Sequence, residues 1–441
     1  MVARAVKGCP PRFPPGPRAP AALQALRYAR EPLGFLTDYR RRYGDVFSIS
    51  FPYFGRLVYV ADPALVKEVF TAPPGQIHAG EANAKMLGSA LGQNSVLVLD
   101  EGAHIRQRRV LLPPFHGPRI ERYAELMEEA TLEDMEHWPR GEAFALHPHV
   151  QRITLTVIMR AVFGIEDRER RLRFERLLDA FSGRLGLIAT LPPLRRDLGR
   201  WSPWRRFVHA RAGLHRFIDE EIAARRARSD AGERDDVLSL LMGARHEDGS
   251  AMSDAELRDE LVTILVAGHE TTATGLAWAF ERLLRSPRAL APLRESLAAG
   301  DEGYLEATVR ETLRSRPVII DVPRRLNAPL RLGAYEVPAG SYLMAAIAAL
   351  HYREDLFPEP QRFLPERFLE AKPNTYSWIP FGGGVRRCVG AAFAEFEMRV
   401  VLRTILERAE LCAPDPRPEK VRVRTTLVPA KGTLVTATLR G

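Results

Sequence analysis

A chain of 441 residues, 46% of them hydrophobic, is long enough for one large domain or two to three average ones and can fill a sizeable core. Its net charge of +9 comes from 64 Lys plus Arg against 55 Asp plus Glu, but no block of like charge is long enough for a nucleic-acid arm, so a basic surface for an acidic protein partner is expected instead. Three cysteines, Cys9, Cys388 and Cys412, form no disulfide framework, and no run of about 18 apolar residues marks a signal core or membrane anchor, so a cytoplasmic location is expected.

In chain order, Pro10-Pro11 and the prolines of 14–17 make residues 1–20 a stiff, extended lead-in. Residues 21–43 read as one helix. The alternation of Val46, Ser48 and Ser50, and then of Leu57 and Tyr59, gives two strands around a turn at 52–55. Asp62-Pro63 supplies an N-cap and a first-turn proline for the next helix. From 71 to 100 the pattern dissolves into a long loop. A helix follows at 101–111, with His104 and Arg108 four apart on one face. Residues 118–245 are almost wholly helical, broken at 139–141, at Gly164 and at 191–203.

The next helix, 253–285, opens on a Ser253/Glu256 capping box and carries an apolar face through Leu257, Leu261, Ile264 and Leu265. Into that face Ala267-Gly268-His269-Glu270-Thr271-Thr272 inserts an acid and two alcohols, which need partners or a task when buried. Glu311 and Arg314 share a helical face, an arrangement with little specificity alone. Arg316-Pro317 ends that helix, 318–325 is extended, two short strands are expected in 331–350, and 358–376 is an irregular meander. A helix over 391–407 and a hairpin turning at 429–432 within 421–439 complete the chain.

The stretch 381–390 reads Phe-Gly-Gly-Gly-Val-Arg-Arg-Cys-Val-Gly. Cys388 lies between Arg386 and Gly390, just ahead of a helix N-terminus, and backbone donors and guanidinium groups there favour a thiolate, while the glycines let backbone approach a flat ligand. A lone cysteine is by itself more often an inert core residue. Its surroundings change that reading: Phe381, Gly384, Arg386, Cys388 and Gly390 resemble, at every fixed position, the haem-binding loop of the cytochrome P-450 family. Two more of that family's motifs have counterparts, its Ala-Gly-x-Glu-Thr at 267–271 and its Glu-x-x-Arg at 311–314 paired with Pro-Glu-Arg-Phe at 365–368. Together the likeness spans nearly the whole chain.

The resemblance implies a mainly α fold with small β-sheets, with haem b (iron protoporphyrin IX) buried between two central helices of a single domain over 21–441, and it is to the bacterial members without an anchor. It implies Cys388 as the axial thiolate of the iron. Arg386, His104, Arg108 and Arg324, with Arg325 as the alternate, would hold the haem propionates. Phe381, Gly382, Gly390, Ala267 and Gly268 would surround the macrocycle, the last two leaving room for oxygen and substrate. Thr271 would hydrogen-bond the oxygen being activated and Glu270 would relay protons to it, with His269 and Thr272 left to packing or solvent contact. Glu311, Arg314 and Arg367 would form a buried ionic network bracing the haem loop. Met86 and Leu87, Phe181 and Leu185 beside a lid at 191–203, Ile319, Ile320 and Asp321, and Leu427 and Val428 would line the substrate pocket. Asp321 would anchor a hydroxyl or amine, or point to solvent.

The function so implied is a monooxygenase that hydroxylates or epoxidises a lipophilic small molecule. Fatty acids, terpenoids and polyketide-like compounds are the expected substrates; the proline-rich opening and Tyr43-Gly44-Asp45 resemble members acting on the first two. No stretch is left for a reductase domain, so electrons from NAD(P)H would come through a separate ferredoxin or flavodoxin docking near Arg106, Arg109, Arg387, Arg399 and Arg403. The alternatives are a peroxide-driven peroxygenase and a haem-thiolate sensor or carrier without turnover, which would not require Glu270 and Thr271.

Overall fold

Pro32 splits the first expected helix in two: α1 (Ala21–Arg30) and α2 (Pro32–Tyr43) meet at Glu31, which the following proline forces out of the helical region to φ −147°, ψ 68°. The structure, a computed structural model, describes residues 13–199, 201–228, 234–371 and 373–440; Cys9 and Pro10-Pro11 of the lead-in lie outside them. The rest of the lead-in is laid along β1 (Val46–Phe51), where Ser48 donates from Oγ to the Pro14 carbonyl (2.7 Å) and from its amide to that of Pro15 (2.8 Å). β1 turns back into β2 (Gly55–Val60) with Phe51 opposite Gly55, as the alternation predicts. Asp62 caps α3 (Pro63–Thr71) by accepting the amides of Ala64 and Leu65.

The segment read as a loop over 71–100 holds β3 (Ile77–His78) and the twelve-residue helix α4 (Gly80–Leu91). Its N-terminus has no local cap. Asp100, at the far end of the segment, accepts the amides of Gly80 (2.8 Å) and Glu81 (2.7 Å), a cap made by tertiary contact that a local pattern does not reveal. α5 (Glu101–Leu111) follows.

α6 (Ala124–Met135), β4 (Phe144–Ala145), α7 (His147–Phe163), α8 (Arg168–Thr190), α9 (Pro203–Arg226) and α10 (Val237–Gly243) fill the helical half, with breaks close to those expected. The central helix α11 (Asp254–Leu283) has its capping box formed and packs against α7, α9 and α10. α12 (Pro287–Ala298) and α13 (Gly303–Ser315) lead to β5 (Val322–Leu326), β6 (Leu330–Leu332), β7 (Tyr335–Val337) and β8 (Tyr342–Ala345). The five-stranded sheet runs β1-β2-β8-β5-β3, and β6 pairs only with β7 among the described residues.

Two further expectations change. The end of the 331–350 stretch is a helix, α14 (Ile347–His351), buried throughout; a short apolar run does not distinguish a buried strand from a buried helix turn. After α15 (Arg367–Glu370), α16 (Ala391–Arg408) and β9 (Ala409–Cys412), the last hairpin turns at 424–426, pairing β10 (Val421–Val423) with β11 (Leu427–Pro429). Gly432, at φ +73°, redirects the chain instead, and β12 (Leu434–Leu439) leaves to pair with β4 and β9. No helix among the described residues is long and apolar enough to cross a membrane.

Candidate active site

The loop before α16 is held by the Cys388 amide, which donates to the Phe381 carbonyl (2.9 Å), and by left-handed backbone at Gly382 (φ +69°) and Gly384 (φ +62°). A Cβ on Gly383 would strike the Phe70 ring of α3, and one on Gly384 would strike the Phe70 carbonyl. These two glycines therefore admit α3, where the sequence reading set them against a flat ligand. The Gly390 amide donates to the Cys388 sulfur, as expected for the first turn of α16. The thiol itself departs from expectation: burial raises its pKa, and the Gly390 N–H, Arg108 and Arg387 only oppose that rise.

Cys388 retains accessible surface although the protein encloses its thiol. Ala267 is likewise exposed in the middle of α11, between the fully buried Leu265 and Ala273. Both keep an accessible face among packed neighbours. Gly268 is half-buried, and a Cβ there would come 2.9 Å from Ile158 Cδ1, so the missing side chain makes room for α7.

Beside the loop, four basic side chains converge from three elements: His104 and Arg108 on α5, Arg324 on β5, and Arg386. Arg386 donates to the Leu99 carbonyl and to Asp100 Oδ1, both at 2.5 Å, and burial lowers its pKa to about 10 against the pull of Asp100. Arg324 is buried over the Phe70 ring, 5.2 Å from its centroid; burial and then Arg386 lower it to about 10. Arg325 points the other way, to Glu81 (2.7 Å), which resolves the one-residue ambiguity in favour of Arg324 as the member of this cluster. His104 is held neutral, its pKa lowered to about 3 by burial and then by Arg386, Arg108 and Arg324. Among the described residues neither Arg108 nor Arg324 has a carboxylate within ion-pair distance. The cluster thus holds three guanidinium groups against one carboxylate, Asp100, in a place shielded from water. An enclosed thiol beside such an excess of buried positive charge fits an iron porphyrin, whose two propionates would supply the missing anions.

On α11, Thr271 Oγ1 donates to the Ala267 carbonyl (2.5 Å), leaving its oxygen free to accept, and Thr272 donates to that of Gly268 (3.0 Å). Burial raises the Glu270 pKa, while Arg424 and a hydrogen bond from Thr426 lower it. Glu270 is thus engaged by the β10–β11 turn, where Thr426 also meets Thr274 (3.1 Å), and not by its neighbour Thr271. Burial, then the nearby His147, lowers His269 to about 4.

Glu311 and Arg314 are fully buried, and Arg367 Nε lies 3.2 Å from Glu311 Oε2. Arg314 donates to the carbonyls of His351 (3.0 Å) and Arg362 (3.2 Å), and the His351 ring accepts the Ile379 amide (3.0 Å) two residues before Phe381. The network therefore runs from α13 to the edge of the cysteine loop.

The residues expected to line a pocket divide. Met86, Leu87, Ile319 and Asp321 keep accessible surface, whereas Phe181, Leu185, Ile320, Leu427 and Val428 are packed away; Phe181, for one, stacks on Phe207 at 5.4 Å. Of the expected docking arginines, Arg109 pairs with Glu247, Arg106 lies 3.9 Å from both Asp248 and Glu256, and Arg399 and Arg403 share Glu302. Asp100 and Phe70 were not singled out from sequence. Asp100 stands where an N-cap for α5 belongs, and that was the available signal; Phe70 had none.

The family model described as Cytochrome P450 matches residues 10–436. Chains named only by family and number are similar over most of their length: cytochrome P450 135B1 of Mycobacterium tuberculosis is 43% identical over 95% of this chain and 90% of its own, and cytochrome P450 138 of the same organism 43% identical over 91% and 90%. Among solved structures, retinoic acid-bound cyanobacterial CYP120A1 superposes with a TM-score of 0.84 at 22% identity, covering 97% of this chain and 99% of that one.

Proposed function

From the premise that the chain belongs to the cytochrome P450 family of haem-thiolate monooxygenases, we propose that Cys388 is the iron ligand and that the enzyme, with its catalytic domain over 21–441, hydroxylates or epoxidises a lipophilic small molecule. Fatty acids, terpenoids and polyketide-like compounds are the candidate substrates. The observation that carries this reading is the buried cluster of Arg108, Arg324, Arg386 and neutral His104, short of anions, beside an enclosed thiol.

Bound there, haem supplies oxygen activation and one-atom oxygen transfer. The chain supplies the groups that hold it and that manage protons around it. Arg108, Arg324 and Arg386 neutralise the propionates, and His104 gains a partner that its cationic neighbours deny it. The Gly390 N–H, with Arg108 and Arg387, stabilises charge on the Cys388 sulfur. Ala267 leaves space on α11, and the Thr271 hydroxyl, which donates to the Ala267 carbonyl, accepts a hydrogen bond there. Glu270, kept protonated more readily by burial, moves protons inward from the Arg424–Thr426 side. Met86, Leu87 and Ile319 offer an apolar wall that excludes water. Electrons arrive from a separate acidic ferredoxin or flavodoxin in the cytoplasm, with Arg387, which forms no salt bridge among the described residues although Glu395 lies within its field, as a docking arginine.

Reduced, carbon monoxide-treated protein is expected to show the red-shifted Soret band of a haem-thiolate, and Cys388→Ser to lose it. An unchanged band in that variant overturns the assignment.

A further inference from the structure

We propose that Asp321, set against Tyr59 and Tyr28 in an otherwise apolar wall, is the polar end of the substrate pocket and selects lipophilic molecules whose head group is positively polarised, a hydroxyl or an ammonium, over carboxylates. This rests on the monooxygenase reading and narrows its substrate class away from free fatty acids.

The segment carrying Asp321 is pinned on two sides. The Ala348 amide donates to the Ile320 carbonyl (3.0 Å), and the Leu427 amide on β11 donates to that of Val318 (3.3 Å). Ile320 and Leu427 are thereby buried in one apolar cluster with Tyr59, Phe47, Leu57 and Met344, while Ile319 remains 37% exposed. Into that cluster projects one carboxyl group. The Tyr59 hydroxyl donates to its Oδ2 at 3.3 Å, a long hydrogen bond, and Oδ1 has no hydrogen bond among the described residues. No Lys, Arg or His forms an ion pair with it there. The titratable groups facing it are Tyr28 of α1 and Tyr59 of β2, and each has its own pKa raised first by burial and then by the Asp321 charge.

A carboxyl group so placed costs free energy unless something completes its hydrogen bonds. Burial accordingly pushes its pKa up to about 7, with only the Tyr59 bond acting in the other direction. Yet Asp321 is not sealed in: it keeps accessible surface beside the exposed Ile319. The missing partner can therefore come from a bound molecule. Once ionised, above about pH 7, Asp321 accepts from a hydroxyl at Oδ1 or gains its absent counter-charge from an ammonium, whereas a carboxylate then meets a like charge with no cation between them. Three residues of extended chain, about 10 Å, separate Asp321 from Arg324. A head group held at Asp321 thus lies one short stretch of β5 from the arginine cluster beside the thiol.

The test uses haem-loaded wild-type protein and Asp321→Asn at a pH well above 7, where the carboxyl group is ionised, titrated with decanol, decyltrimethylammonium and decanoate and followed by calorimetry and by the haem absorbance shift. Wild type is expected to bind decanol, the ammonium or both about tenfold tighter than decanoate, and Asp321→Asn to close most of that gap. Whichever of the two heads leads identifies the head group. The same ranking in both proteins, or decanoate binding tightest to wild type, overturns the inference. Should Asp321→Asn fail to fold, Tyr59→Phe removes the one donor and is expected to weaken decanoate further while tightening the other two; no change in any of the three overturns the inference as well. Wild-type protein lacking the haem-thiolate Soret band would instead overturn the function beneath it, so the two failures are distinct.

Discussion

Glu311 and Arg314 face each other one turn apart on α13, Nε 2.7 Å from Oε2 and Nη2 2.8 Å from Oε1, with no accessible surface on either side chain. Glu311 Oε1 also accepts the Leu364 amide (2.9 Å), so one carboxylate joins a helix to the meander before the cysteine loop. Removing its charge with Glu311→Gln strands Arg314 in the interior, a loss on the order of 3–5 kcal/mol. Urea unfolding should show it. Arg367→Gln should cost clearly less, because that side chain is 13% exposed and also donates to the Pro358 carbonyl (3.1 Å); equal losses for the two would refute the network as described.

Gly383 and Gly384 both border Phe70, but on different parts of it. Gly383→Ala would press on the ring, whose removal in the double variant with Phe70→Ala should recover part of the lost stability. Gly384→Ala would press on the Phe70 carbonyl and must also hold φ +62°, so no side-chain change at Phe70 should rescue it. Thermal unfolding of the four variants reads the difference, and strain of about 1–3 kcal/mol is expected at Gly384.

Thr271 contributes little to the fold, since its hydroxyl bonds only the preceding turn at the Ala267 carbonyl. Thr271→Ala should change stability by no more than about 1 kcal/mol. With a surrogate ferredoxin system it should still consume oxygen but make less product per electron. Full coupling in the variant would remove Thr271 from the proton path.

Glu397 of α16 is fully buried and neither oxygen has a well-formed hydrogen bond; the adjacent Thr272 hydroxyl donates to Gly268, and its pull on Glu397 offsets burial only in part. Burial raises its pKa to about 8 from 4.5. The folded protein therefore keeps the proton that the unfolded chain loses, and this residue's contribution to stability falls as pH rises from about 4.5 to about 8 and is flat beyond. Glu397→Gln should flatten that part of the stability profile and raise stability most at the alkaline end. A steeper decline in the variant would contradict the assigned protonation.

The motifs around Cys388, Thr271 and Glu311 were legible because each is a short run whose residue types are fixed by its own chemistry, and the turns at Asp62-Pro63 and Ser253/Glu256 because capping is local. α4 was not, because its cap, Asp100, reaches it only after the chain has folded back. The last hairpin was misplaced for a similar reason: β12 finds β4 and β9, partners that local turn signals cannot weigh.

What the amino-acid order determined by itself was the family, the cysteine proposed as the haem ligand and the succession of most helices, since periodicity and motif act over a few residues. Only the packed chain decided which arginine joins His104, that Gly268 and Gly383 make room for protein, and that Glu270 faces Thr426. Each of those depends on which atoms from distant segments occupy the same few ångströms, and burial there, through desolvation and excluded volume, overrides what the isolated residue would prefer.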